Sequence, residues 1–120
     1  MKTIYLVVLA LWMSNCTEKP KQQEVMKKTA TVMEVVTFKV NSTLSDVEIK
    51  AKLLSLTECA SAYEGYIDRT LAKNDKEEWI DVVYWESLEQ AELAAEKIME
   101  DEKALAVFAL IDEKSMVFVL

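Results

Sequence analysis

The sequence predicts an α+β domain: one antiparallel four-stranded sheet with helices laid across a face. Three observations point there. Short runs rich in β-branched and aromatic residues alternate with helical segments that open on serine. A single Gly and a single Pro leave little sequence for elaborate loops. Hydrophobic residues make up 52% of the chain, enough for one modest core in 120 residues.

The elements follow in order. TVMEVVTFKV, residues 31 to 40, reads as the first strand, because β-branched and aromatic side chains suit a pleated surface. Ser45-Asp46-Val47-Glu48 is a capping box that opens the first helix. Val47, Ala51 and Leu54 share a stripe with Glu58, and Ile49, Leu53, Leu56 and Ala60 broaden its apolar side. Gly65 falls just past this helix, where a positive φ costs it little. Tyr66 to Lys73 is the second strand, Asn74 to Glu77 a polar turn, and Glu78 to Glu86 the third strand. Ser87-Leu88-Glu89-Gln90 is a second capping box, opening a helix through about residue 101. Residues 104 to 111, ALAVFALI, predict a short further helix, and SMVFVL, residues 115 to 120, closes as a fourth strand.

The order β-α-β-β-α-β is the ferredoxin-like split βαβ arrangement, with both helices on one sheet face. The strands are apolar on both sides, so the second face also needs cover. Face-to-face pairing with a second copy supplies it, and a homodimer is the expectation.

A two-residue turn centred on Asp75-Lys76 sets the hairpin register. Thr70 then opposes Asp81, Asp68 opposes Val83 and Tyr66 opposes Trp85; opposed residues share a face. One face carries Trp79, Asp81, Val83, Trp85, Tyr66, Asp68 and Thr70. Rings mixed with carboxylates and a hydroxyl are the usual lining of a small-molecule pocket. The other face carries Ile80, Val82, Tyr84, Ile67, Leu71 and Arg69, and reads as plain core. Trp79, Trp85, Tyr66, Thr70 and Asp68 are thus candidate ligand-binding residues. Asp81 has two readings. Buried among indoles without a partner it would hold its proton and act as a general base; paired with a cation it would be structural. Trp85 is either a core plug or a ring for a ligand to stack on. Arg69 is expected to pair with a helix carboxylate.

Charge and composition exclude several classes. A net charge of −7 argues against nucleic acid, whose phosphates need a basic patch. The chain has no histidine, which removes the usual triad, imidazole ligation of zinc or haem, and the usual neutral-pH base. No metal site is expected. Glu89, Glu92, Glu96 and Glu100 form a solvated stripe, without the tight oxygen loop calcium wants. Cys59, on a predicted helix and lacking a histidine neighbour, reads as a small buried hydrophobe.

The N-terminus stands apart. Lys2 precedes the apolar run IYLVVLALWM, residues 4 to 13, half the ~20 residues that span a bilayer. Ser14-Asn15-Cys16 follows. This segment resembles a bacterial lipoprotein signal, although Met13 and Asn15 replace the usual Leu and small residue. The resemblance implies that residues 1 to 15 are removed, that Cys16 is lipidated, and that the protein is held to a membrane of the bacterial cell envelope by lipid alone. An ordinary cleaved signal or a signal-anchor is the alternative. Loss of Lys2 would take the charge from −7 to −8. Residues 16 to 30, with Pro20 and four lysines against two glutamates, read as a flexible tether, and residues 31 to 120 as the domain.

Within that domain GYIDRTL, residues 65 to 71, and WIDVVYWESLEQAELAAEK, residues 79 to 97, resemble the antibiotic biosynthesis monooxygenase (ABM) family of dimeric α/β barrels. The shared pattern is a Gly-Tyr strand, a polar turn, a strand ending in Trp, a helix N-cap and an alanine-rich helix. The resemblance implies a dimer whose two sheets form one barrel. It implies two activities among relatives: oxidation of aromatic polyketides with no metal or organic cofactor, or haem degradation. The latter uses a histidine that this chain lacks, so no cofactor is expected. Two functions stay open: an aromatic-binding, cofactor-independent oxygenase, or a non-catalytic binding lipoprotein that uses the barrel as an interaction module.

Overall fold

The computed structural model describes residues 29–120. The predicted signal, residues 1 to 15, Cys16, and the tether as far as residue 28 lie outside the described residues. The elements run β1 (Val32–Val40), α1 (Asp46–Ser61), β2 (Tyr66–Lys73), β3 (Trp79–Trp85), α2 (Leu88–Lys97), a 3-10 turn (Ile98–Glu100), α3 (Glu102–Phe108) and β4 (Ile111–Val119). The strands form one sheet in the order β2-β3-β1-β4, every neighbouring pair antiparallel. This is the ferredoxin-like fold.

Local chemistry sets the helix boundaries. Ser45 Oγ accepts from the Glu48 amide at 3.2 Å, and the Glu48 carboxylate accepts from the Ser45 amide at 3.2 Å, completing the first capping box. Ser87 caps α2 through the Gln90 amide at 3.2 Å; here the Gln90 side chain meets the Ser87 hydroxyl instead of its backbone. Gly65 takes φ +93° between α1 and β2, in the left-handed region open to glycine. A Cβ there would run into the Gln90 side chain of α2.

α1 buries Ile49, Leu53, Leu56 and Ala60, while Val47 and Leu54 are exposed. The buried stripe is therefore the set predicted to broaden the apolar side. β4 begins earlier than its hydrophobic run because Asp112 and Ile111 pair with Lys39 and Val40. Between that pairing and Thr37↔Val117 the strand bulges. Ser115 Oγ closes the bulge, accepting from the Lys39 amide at 2.8 Å and donating to the Asp112 carbonyl at 2.7 Å.

The β2–β3 register departs from expectation by one residue. Asn74 and Glu78 close the hairpin: the Asn74 amide donates to the Glu78 carbonyl at 2.9 Å, and Asn74 Oδ1 accepts from the amides of Lys76 and Glu78. Glu77 adopts φ +63°. The loop thus has three residues, with its last in the left-handed conformation, which is a common three-residue hairpin. Lys73 then faces Trp79, Leu71 faces Asp81 and Arg69 faces Val83. A one-residue slip exchanges the two faces of a strand. Arg69 and Leu71 join the Asp81 side, and Asp68 and Thr70 leave it, both exposed. A second irregularity at Ile67 restores Tyr66 opposite Trp85.

The face predicted as plain core is the open face of the sheet; Ile80, Val82 and Tyr84 are only half-buried there. The alternate row of β3, Trp79, Asp81, Val83 and Trp85, is buried under the helices. That row spans two hydrophobic clusters. Trp79 packs with Phe38, Leu53, Leu56 and Val107 at one end. Val83 and Trp85 pack with Ala91 and Ala94 of α2 at the other. Asp81 stands between them.

Candidate functional site

A cavity of about 540 Å³ opens between the sheet and the helices, where the two clusters meet. β1 contributes Glu34, Val36 and Phe38. β2 and β3 contribute Arg69, Asp81, Val83 and Trp85. Ala94 and Ala95 of α2, with Ile98 and Met99, form its roof, and Met116 and Phe118 of β4 flank it. The alanines keep α2 from filling the space that larger side chains would occupy. The bulge in β4 directs Glu113 and Met116 to this cavity, a common role for bulges beside sites.

Asp81 is not an unpartnered carboxylate. Its two oxygens accept from Arg69 Nε at 2.8 Å and Nη2 at 2.7 Å, a bidentate fork. Arg69 Nη1 donates to the Leu53 carbonyl at 2.7 Å and to Thr57 Oγ1 at 3.0 Å, both on α1. The Arg69 side chain is 2% exposed. This cluster ties β2, β3 and α1 together, with the Asp81 carboxylate as one of its members. The expected pairing of Arg69 with a helix carboxylate is corrected: its acid lies on β3, and the helix supplies a carbonyl and a hydroxyl.

A second carboxylate lines the cavity, Glu34, which sequence reasoning missed. Glu34 Oε1 accepts from Trp85 Nε1 at 2.8 Å. Burial pushes its carboxyl above the usual value and the nearby Asp81 charge adds to that; the Trp85 hydrogen bond and Arg69 work against it. The signal was present in the strand. Val32, Glu34, Val36, Phe38 and Val40 share one side of β1, and a lone acid in an otherwise apolar row demands a reason.

The remaining candidates separate. Trp85 and Asp81 line the cavity. Tyr66 meets Trp85 edge-on, ring centroids 5.9 Å apart at 86°, and so holds the indole in place. Trp79 lies outside the cavity lining, in the first cluster, with Lys73 Nζ 5.6 Å from its ring centre. Asp68 and Thr70 are on the opposite sheet face and do not line the cavity. Cys59 is a free, half-buried thiol packed against the first cluster; burial and Asp101 raise its pKa, which disfavours the reactive thiolate. Among the described residues no cluster of acids and cysteines could hold a metal ion, and no helix is long and apolar enough to cross a membrane.

No family model matches the chain, and no curated protein matches its sequence. Solved structures do match. The chain is similar to SnoaB, a cofactor-independent oxygenase from Streptomyces nogalater, at 18% identity and TM-score 0.58, over 73% of this chain and 89% of that one. It is similar to a putative antibiotic biosynthesis monooxygenase from Nitrosomonas europaea, at 12% identity and TM-score 0.55, over 72% and 84%. It is also similar to a dimeric ferredoxin-like protein from an uncultured marine organism, at 16% identity and TM-score 0.53, over 80% and 90%. At these identities the likeness establishes the ferredoxin-like α+β fold that these three proteins share.

Proposed function

We propose that the chain binds a flat aromatic molecule in the cavity beneath α2, and that Glu34 acts there as a base in cofactor-independent oxygenation. The carrying observation is the conjunction of an apolar cavity of about 540 Å³ with a half-buried carboxylate hydrogen-bonded to an indole on its wall. Trp85 supplies the stacking face, and Tyr66 fixes its orientation. A carboxyl raised by burial is the stronger proton acceptor once ionised. It would take a proton from an electron-rich ring system. The resulting anion is oxidised by O2: a ring CH2 becomes C=O, the second oxygen atom leaves as water, and the substrate supplies all the electrons. The similarity to SnoaB supports this chemistry by fold alone.

Non-catalytic binding is the second reading, and one observation favours it: the acid expected as base, Asp81, is fully engaged by Arg69. One experiment separates the two. Titration with flat hydroxyaromatic compounds that carry a ring CH2 is expected to quench tryptophan emission, and Trp85→Phe to remove the quench. Oxygen uptake with the same compounds, lost in Glu34→Gln, supports oxygenation. Quenching without oxygen uptake leaves a binding protein, and no quenching by any compound sinks both.

The same proposal includes a second copy of the chain packed against the open sheet face, where Val35, Ile80, Val82 and Val117 present apolar side chains to no helix among the described residues. It also includes the lipid at Cys16, supported by the sequence of the first sixteen residues. Cys16→Ser, followed by mass spectrometry and membrane fractionation, tests the anchor.

A further inference from the structure

The polar groups of the cavity carry information about the ligand's charge. Arg69 is the one cation among its lining residues, and four hydrogen bonds already occupy it. Its charge is matched by Asp81 at 2.7 Å. The pair therefore offers an incoming anion little net attraction, and capturing one would mean breaking a buried fork. The other ionisable lining groups are Glu34 and Glu113, both acids, and the Tyr63 phenol. The indole N–H of Trp85, the natural donor for an anionic oxygen, is committed to Glu34. Among the described residues no buried side-chain donor waits without a partner. A carboxylate has room for more than one hydrogen bond, and the structure gives Glu34 one from a side chain.

We infer that the site selects by charge: it takes an uncharged aromatic molecule that donates a hydroxyl hydrogen to Glu34, and it rejects congeners bearing a carboxylate. Glu34 and Glu113 are the specificity-determining residues. Glu34 discriminates from inside the cavity by like-charge repulsion in a poorly screened place, and Glu113 from β4, in greater exposure and so more weakly. Apolar lining from Phe38, Val83 and Phe118 accepts fused rings.

This inference rests on the proposal that the cavity holds an aromatic ligand, and calorimetry on the full chain can fail the two separately. The probes are naphthalene, 1-naphthol and 1-naphthoate at pH 7. The expected result is that 1-naphthol binds at least about tenfold more tightly than 1-naphthoate. Glu34→Gln is expected to shrink that gap to within about threefold, chiefly by admitting 1-naphthoate. Glu113→Gln, at an exposed position that folding tolerates, is expected to shrink it by a smaller factor and keeps the test open should Glu34→Gln misfold. Equal binding of 1-naphthol and 1-naphthoate by the unaltered chain overturns the charge selection while leaving an aromatic site. A gap unchanged in both variants removes these two residues as its cause and overturns the assignment. Failure of all three probes to bind, naphthalene included, overturns the aromatic site and this inference with it.

Discussion

Asp81, buried, and Glu34, half-buried, are two acids with opposite fates, and their neighbours decide which is which. Asp81 meets a guanidinium; Glu34 meets an indole N–H. Removing one member of a buried ion pair strands the other, at a cost of about 3–5 kcal/mol. Asp81→Ala is expected to lower stability by that amount in urea denaturation. The double variant Asp81→Leu, Arg69→Met is expected to recover much of it, because no charge is left unpaired. A catalytic Asp81 would behave differently, losing activity at unchanged stability. Glu34 makes a pH prediction. Its folded-state carboxyl holds the proton more tightly than the unfolded one. The stability from this group is present below the ordinary carboxyl value and is lost as pH rises through the raised value. Urea midpoints between about pH 4 and pH 7 are expected to fall less in Glu34→Gln than in the unaltered chain. The Trp85 N–H keeps an acceptor in that variant. Trp85 and Asp81 were legible as buried neighbours from the strand's alternation. Their functional ranking was not, because it depends on which residue lies across the hairpin.

The hairpin shows why. Period-two alternation in β2 and β3 was clear, and so were both strand boundaries to within a residue. Turn length was the missing quantity. No glycine or Asn-Gly pair marks the left-handed position, and Glu77 fills it instead. A residue with a Cβ pays roughly 1–2 kcal/mol there. Glu77→Gly is expected to stabilise the domain by up to about 1 kcal/mol, discounted for the added freedom of the unfolded chain. Deleting Glu77 is expected to do the reverse. A two-residue turn would restore the register that alternation alone suggests, carry Arg69 away from Asp81, and abolish a sharp unfolding transition by circular dichroism. The helices were easier to read, since serine caps announce themselves locally. Choosing the buried stripe of α1 required knowing where the sheet lay, which places Ile49 and Leu53 inward and leaves Val47 in water.

At the scale of the molecule, the element order was sufficient to name the fold, because few topologies accommodate β-α-β-β-α-β with antiparallel neighbours. The cavity was not readable at that scale. It arises where two clusters fail to merge, with alanines on α2 above and a bulged strand beside it. The open face leads to an expectation for assembly. Met33, Val117 and Val119 are each more than half exposed, an arrangement that favours a second copy over water. Light scattering of the lipid-free Cys16→Ser chain is expected to give the mass of two copies, and Val117→Lys to shift it toward one. A single-copy mass for the unaltered face, with the chain well folded, would refute the paired arrangement.

The irregularity in β4 also guards the outer margin of the sheet. That margin belongs to a strand paired on one side only, and a straight one would offer a continuous row of amides to any stray peptide. By diverting residues 113 to 116 and spending the Ser115 hydroxyl on Lys39 and Asp112, the chain breaks the row into short pieces. Such an interruption is a device that hinders fibril growth from a sheet rim, and it sits beside the sticky sequence Val117-Phe118-Val119-Leu120.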